Sequence, residues 1–180
     1  MYSGVLLYPE VTSNLFRFPK KHTWTDFKIE GGGAMKAFVG KLIDTTRYHS
    51  DQISREWARA VRSNPRTPSY HSLSEDVCVR HAVSFYKNLR QMLFSEKPYI
   101  EVRDYFTLYA EERHKEGIPL HEAVYALIMM RRQLWLFADF QGPFLSGLDK
   151  EQAVGAINTT IRIFDHGIYL IIKTYGQLSG

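Results

Sequence analysis

The sequence predicts an all-α protein, and three observations carry that expectation. From Met35 onward apolar residues recur at intervals of three, four or seven, the spacing of one helix face, and no stretch keeps the strand period of two. The segment Tyr109-Ala-Glu-Glu-Arg-His-Lys-Glu-Gly-Ile-Pro-Leu120 reads as a helix stop followed at once by a helix start. Gly117 can take the left-handed conformation that closes a helix, and Pro119 fits the first turn of the next, where a missing N–H costs little. Prolines and capping residues then divide the remaining chain into helices joined by short turns, a single five-helix bundle over 35–180.

The first helix is expected from about Ala34 to Arg62, with Phe38, Leu42, His49, Ile53, Trp57 and Val61 on one stripe. Asn64-Pro65-Arg66-Thr67-Pro68 ends it, because proline disfavours helix at the residue before it. A second helix should start after Ser72, where Ser72-Leu-Ser-Glu75 has a capping-box pattern, and carry Val77, His81, Phe85, Leu89 and Met92. Pro98 opens a third, with Val102, Tyr105, Phe106 and Tyr109 on one side. The fourth follows Pro119 and carries Leu120, Val124, Leu127, Ile128, Leu134 and Trp135, until Gln141-Gly-Pro143 breaks it. The fifth is expected from near Asp149, where Asp149-Lys-Glu-Gln152 resembles a capping box, to about Tyr175. Its apolar arc is wide: Val154, Ile157, Ile161, Phe164, Ile168 and Ile171 form a stripe that Ile163 and Leu170 broaden. One core-facing stripe needs less. The arc fits burial between neighbouring helices or a homodimer through this last helix.

Residues 1–34 differ, with Pro9, Pro19, the run Gly31-Gly-Gly33 and no sustained helical period. They are expected to form a poorly ordered arm with a glycine hinge. A second expectation is that Met35 is the natural start, since a purine-rich ribosome-binding sequence translated in frame would give the glycines before it.

Composition narrows the function. A chain of 180 residues is one domain by length, and 44% hydrophobic residues make it globular. No apolar run reaches the roughly 18 residues of a membrane span, and Gly4-Val-Leu-Leu-Tyr8 is too short for a signal-peptide core. A cytoplasmic protein without membrane contact is expected. The single Cys78 excludes an internal disulfide framework and a multi-thiolate metal site. Net charge is +4 with Lys and Arg scattered, so nucleic-acid binding is not expected.

Chemistry-bearing residues are few. Glu111 and His114 form a Glu-x-x-His pair on one helix face, the half-motif of carboxylate-bridged metal sites. With His121 and His166 it makes a candidate iron or zinc site. The competing reading has Glu111 solvated and His114 favourably placed at a helix C-terminus. His49 and His81 lie on apolar stripes, as haem ligands, pH-responsive groups or hydrogen-bonded core residues. Cys78 stands three residues before His81, a spacing that places a thiol near a base, but no oxyanion device accompanies it. Nor is Gly31-Gly-Gly33 followed by the Lys-Ser or Lys-Thr of a phosphate loop. No enzyme is expected. Trp57, His81, Phe85, Tyr109 and Trp135 are the candidate liners of a ligand pocket, with plain core packing as their alternative.

The region from about Phe38 to Gln177 resembles the RsbRD-type N-terminal sensor domain of stressosome co-antagonist proteins, also found ahead of bacterial histidine kinases. The resemblance rests on Ile53-x-x-x-Trp57 before a proline-bearing loop, on Ala110-Glu-Glu-Arg113, Gly117-Ile-Pro-Leu120, Glu122 and Ala126, and on an Arg at 131 or 132. It implies a globin-like helical module without haem that acts in bacterial signal transduction, binding a small ligand or a partner protein. With no output domain following, it implies signalling in trans to a kinase or other signalling protein. No cofactor is implied; the alternatives are a metal-binding bundle centred on Glu111 and His114 and a haem-binding globin-like sensor.

Overall fold

The computed structural model describes residues 33–140 and 147–180, with side chains described throughout 39–137 and 158–180. The expectations for the N-terminal arm and for the break at Gln141–Pro143 lie outside these residues. Six α-helices and no strand are present among the described residues: α1 (Gly33–Tyr48), α2 (Ser50–Ser63), α3 (Glu75–Phe94), α4 (Pro98–Lys115), α5 (Leu120–Phe140) and α6 (Gly147–Leu178), with a 3-10 turn over Pro68–Tyr70. None is long and apolar enough to cross a membrane.

The expected first helix is two helices, and the cause is local. Thr46 Oγ1 donates to the Leu42 carbonyl at 2.8 Å, a back-bond that bends helices. His49 leaves helical geometry (φ −97°, ψ 17°), yet its N–H still reaches the Thr45 carbonyl at 3.1 Å and its carbonyl accepts from Ile53 at 3.1 Å. The chain therefore turns a corner with the hydrogen-bond ladder nearly intact. The end of α2 follows the Asn64-Pro65 expectation, with Asn64 extended. Thr67 Oγ1 takes up the Val61 carbonyl at 2.6 Å, and Arg62 Nε reaches across to the Leu73 carbonyl at 2.8 Å. The N-cap of α3 is Ser74 rather than Ser72: Ser74 accepts from the Val77 N–H, while Ser72 Oγ donates back to the Ser69 carbonyl.

The α4–α5 joint is as the sequence predicts. Gly117 has φ 73°, its N–H bonds the His114 carbonyl at 2.9 Å, and the Ile118 N–H bonds the Arg113 carbonyl at 3.0 Å. This pair of bonds is the Schellman closure, and the buried Ile118 supplies its apolar contact. The Pro119 carbonyl accepts the first bonds of α5 from Glu122 and Ala123.

Aromatic side chains from four helices donate into α5 and the joint before it: Tyr175 of α6 to Ile118 in the α4–α5 joint at 2.9 Å, and along α5 itself Tyr109 of α4 to Ala123 at 3.1 Å, Trp57 of α2 to Ala126 at 3.0 Å, and Tyr86 of α3 to Met130 at 3.0 Å. All four bonds are buried, and each satisfies a polar tip that would otherwise be expensive to enclose. Around them α2 packs on α3 and α4 on α6, the latter at close range because Gly167 lies directly on the Phe106 ring. The width of the α6 arc has its reason here. α6 touches α1, α4 and α5, and it buries Ile163, Phe164, Leu170, Ile171 and Tyr175. Ile171 is thus core, and among the described side chains of this helix the exposed large apolar ones are Tyr169 (57% exposed), Ile172 (49%) and Leu178.

Candidate functional site

A charged residue is buried at the C-terminal end of α4. Val102, Phe106, Ala110 and Arg113 follow one another at helical spacing on the inward face of α4, so the register that buries the phenylalanine also buries the guanidinium. The Arg113 side chain is 2% exposed. Its Nη2 donates to one Glu116 oxygen at 2.9 Å, and its Nε lies 2.8 Å from the other in ion-pair contact without a hydrogen bond. The same Nη2 is 2.8 Å from His81 Nε2 on α3 and 3.5 Å from a Glu112 oxygen. The Tyr109 ring lies under the guanidinium at 5.3 Å, a cation–π contact. Burial opposes the charge on Arg113, while Tyr109 and Glu116 hold its pKa above the ordinary value, so the group stays a cation.

His81 answers to that cation. Burial first, then the fields of Arg113 and Arg80, lower its pKa from 6.5 to about 3. It is neutral near pH 7 and accepts at Nε2 from Arg113, which leaves the ring proton on Nδ1, buried without a partner. Burial likewise raises the phenols of Tyr70, Tyr109 and Tyr175 around the cluster, so all three remain protonated. Cys78, one turn before His81, is fully buried and burial pushes its thiol up, which opposes the thiolate that nucleophilic chemistry needs.

Between α3 and α4 this cluster forms the wall of an open cleft of about 680 Å³. Val77, Leu108, Tyr105 and Tyr109 supply its apolar surface, Arg80, Arg113 and Lys115 its cations, and Glu112 and Glu116 its carboxylates, with His81 and Ser84 beside them. The volume lies within the roughly 300–1,000 Å³ typical of small-molecule sites. A second, smaller cavity of about 250 Å³ lies between α2 and α5, lined by Tyr125, Ile128, Met129 and Leu136 among others.

Of the five residues expected to line a pocket, the structure brings His81 and Tyr109 to the cleft. Trp57 and Phe85 are fully buried, Trp57 tied to α5 and Phe85 ringed by Tyr86, Tyr105, Phe106 and Phe164. Trp135 is half-buried against the core. The candidate metal residues are spread out. Glu111 and His121 are exposed. His114 stands edge-on to Tyr175 at 5.3 Å, and His166 lies between Tyr99 and Tyr169 at 5.3 and 5.9 Å. Among the described residues no three His, Cys, Asp or Glu side chains are arranged to hold a metal ion. His49 is wedged against Tyr48 and Phe137. Glu122, one of the residues on which the resemblance rests, has a structural partner: its carboxylate accepts from the Ser69 N–H at 2.8 Å and hydroxyl at 2.9 Å, binding the α2–α3 loop to the first turn of α5.

Periodicity did not single out Arg80, Tyr105, Leu108, Arg113 or Glu116 as a group. The available signal was the Arg continuing the buried spacing of α4, with an acid three residues on. Comparison of the chain with protein-family models, curated proteins and solved structures finds no match, and the resemblance to a sensor domain stands on the residues quoted for it alone.

Proposed function

We propose that this protein is a non-catalytic sensory or regulatory module that binds a small ligand in the α3–α4 cleft and passes the event to a partner protein. The observation that carries the reading is the cleft itself, small-molecule in size, with a buried and charged Arg113 in its wall. A buried cation is costly to keep, and a folded chain retains one where it specifies a contact. Binding there would act on α4, which meets α6 at the tight Gly167–Phe106 contact. A change in α4 is therefore felt by the helix whose Tyr169, Ile172 and Leu178 face outward. We place the expected self-association surface on those residues.

Native mass spectrometry of the purified protein, compared with a Val77→Trp variant whose indole fills the cleft, tests the reading. A small molecule retained by the wild type and absent from the variant is expected. Equal retention by both proteins would place the binding elsewhere and overturn it.

A further inference from the structure

The cleft has a composition that selects among ligands. Three cations, Arg80, Arg113 and Lys115, face two carboxylates, Glu112 and Glu116, so the walls carry one excess positive charge. His81 adds none at neutral pH. The rest of the lining is mixed: Val77, Leu108 and the rings of Tyr105 and Tyr109 offer surface that a strongly hydrated ion cannot use, with the Ser84 hydroxyl beside them.

The two halves of the central ion pair differ in exposure. Arg113 is enclosed and held from three sides by Glu116, His81 and the Tyr109 ring. The Glu116 side chain is 30% exposed and stands at the C-cap of α4, next to Gly117. It can swing to water by side-chain rotation alone, with the closing bonds of Gly117 and Ile118 left in place. Its departure would free Arg113 Nη2, beside the Nε that makes no hydrogen bond in the ion pair, at the edge of a cleft with both apolar and polar walls. We propose that the cleft binds a small monoanionic carboxylate with an apolar or aromatic body, whose carboxylate takes the place of the Glu116 side chain on Arg113. Glu116 acts as an internal stand-in for the ligand.

This rests on the ligand-binding reading above and names its ligand class. A carboxylate matches the planar fork that Arg113 already offers. A phosphate ion would leave Val77, Leu108 and Tyr105 without a partner. Binding also releases Glu116, and so marks the α4–α5 joint as the place where occupancy changes the protein surface.

The test is calorimetric titration of the full chain with benzoate, benzamide and inorganic phosphate. Benzoate should bind, with benzamide and phosphate weaker by at least about tenfold. Glu116→Gln removes the internal competitor and should tighten benzoate by about tenfold, because a site blocked most of the time shows a proportionally weakened affinity. Leu108→Glu, at a position 54% exposed and therefore tolerant of a charge, should abolish benzoate binding without unfolding the protein. Failure of benzoate to bind at millimolar concentration, or an unchanged affinity in Glu116→Gln, overturns the proposal. If benzamide binds as well as benzoate and Val77→Trp blocks both, the anionic class falls and the cleft reading survives. If none of the three probes binds and the wild type retains no more small molecule than Val77→Trp, both fall.

Discussion

Adding a single methyl group to α6 should loosen the bundle, and the size of the effect follows from one contact. A Cβ built on Gly167 would lie 2.5 Å from Phe106 Cζ and 2.7 Å from both Cε atoms. Carbon atoms pack best at about 3.5–4.0 Å, so the ring or the helix must retreat by about an ångström. The ring has nowhere to go: Phe106 is fully buried, with Tyr105 at 5.4 Å and Phe85 at 6.2 Å between ring centres. Overpacking of this kind costs roughly 1–3 kcal/mol, and the better helix propensity of alanine returns about 0.8–1 kcal/mol. The net expectation for Gly167→Ala is a loss of up to about 2 kcal/mol. In a chain of this length that lowers Tm by up to about 8 °C. Gly176, on the same helix with nothing near its missing Cβ, is the control. There Gly176→Ala should gain about 0.5 kcal/mol from propensity alone. Thermal unfolding followed by circular dichroism reads both. A Gly167→Ala protein stabilised as much as Gly176→Ala would refute the close α4–α6 contact and with it the route proposed from cleft to outer surface. Recovery of stability in Gly167→Ala combined with Phe106→Leu would locate the clash at the ring.

Gly117→Val places a β-branched residue at φ 73° and should cost roughly 1–3 kcal/mol, read as a lowered denaturant midpoint. An unchanged midpoint would mean the joint tolerates another closure. His81 links stability to pH. Its folded pKa of about 3 lies below the ordinary 6.5, so the unfolded chain binds more protons between those values. The stability contributed by neutral His81 is complete above pH 6.5 and is lost as pH falls toward 3, because burial, Arg113 and Arg80 outweigh the Glu116 carboxylate 3.2 Å away. His81→Asn should flatten that limb of a stability-against-pH curve; an unaltered limb would mean His81 is not its source. On α6, Ile171→Asp should unfold the monomer, since an unpaired carboxylate would enter the core, whereas Ile172→Asp should stay folded and dissociate a dimer formed through this face. A monomeric wild type in light scattering removes the dimer.

Helix ends were legible where one residue acts on its own neighbours. Asn64-Pro65 stops α2, Pro98 opens α4 and Gly117 closes it through backbone constraints that span a few residues. The corner at His49 escaped because its cause is a side-chain bond, Thr46 to Leu42, that competes with an otherwise unbroken helical pattern. Ser72 and Ser74 are both plausible caps by residue type, and the 3-10 turn over Pro68–Tyr70 decides between them by engaging Ser72. The cleft was hidden for a different reason. Arg113 continues the buried spacing of α4, but hydrophobic periodicity sorts arginine with the solvated face, and its partner His81 lies 32 residues earlier in the chain on another helix. His81 and Tyr109 were found because they sit on apolar stripes; a charged residue on such a stripe is not counted by hydrophobicity.

The aromatic donors that converge on α5 and the joint before it limit how this molecule can move. Each donor belongs to a different helix, and each is matched to one carbonyl, at position 118 in the joint and at 123, 126 and 130 on α5. Sliding α5 by one turn would forfeit the three bonds that end on it and strand three polar tips in a dry interior, at about 1–3 kcal/mol for each unsatisfied group. Ratcheting of α5 along its axis is therefore costly to the folded state. Pivoting costs less: a helix can tilt about its aromatic tether and leave the other tethers in place. The bundle behaves as a hub with hinged spokes, and α4, tethered at Tyr109 one turn from Arg113, is the spoke whose hinge lies beside the cleft.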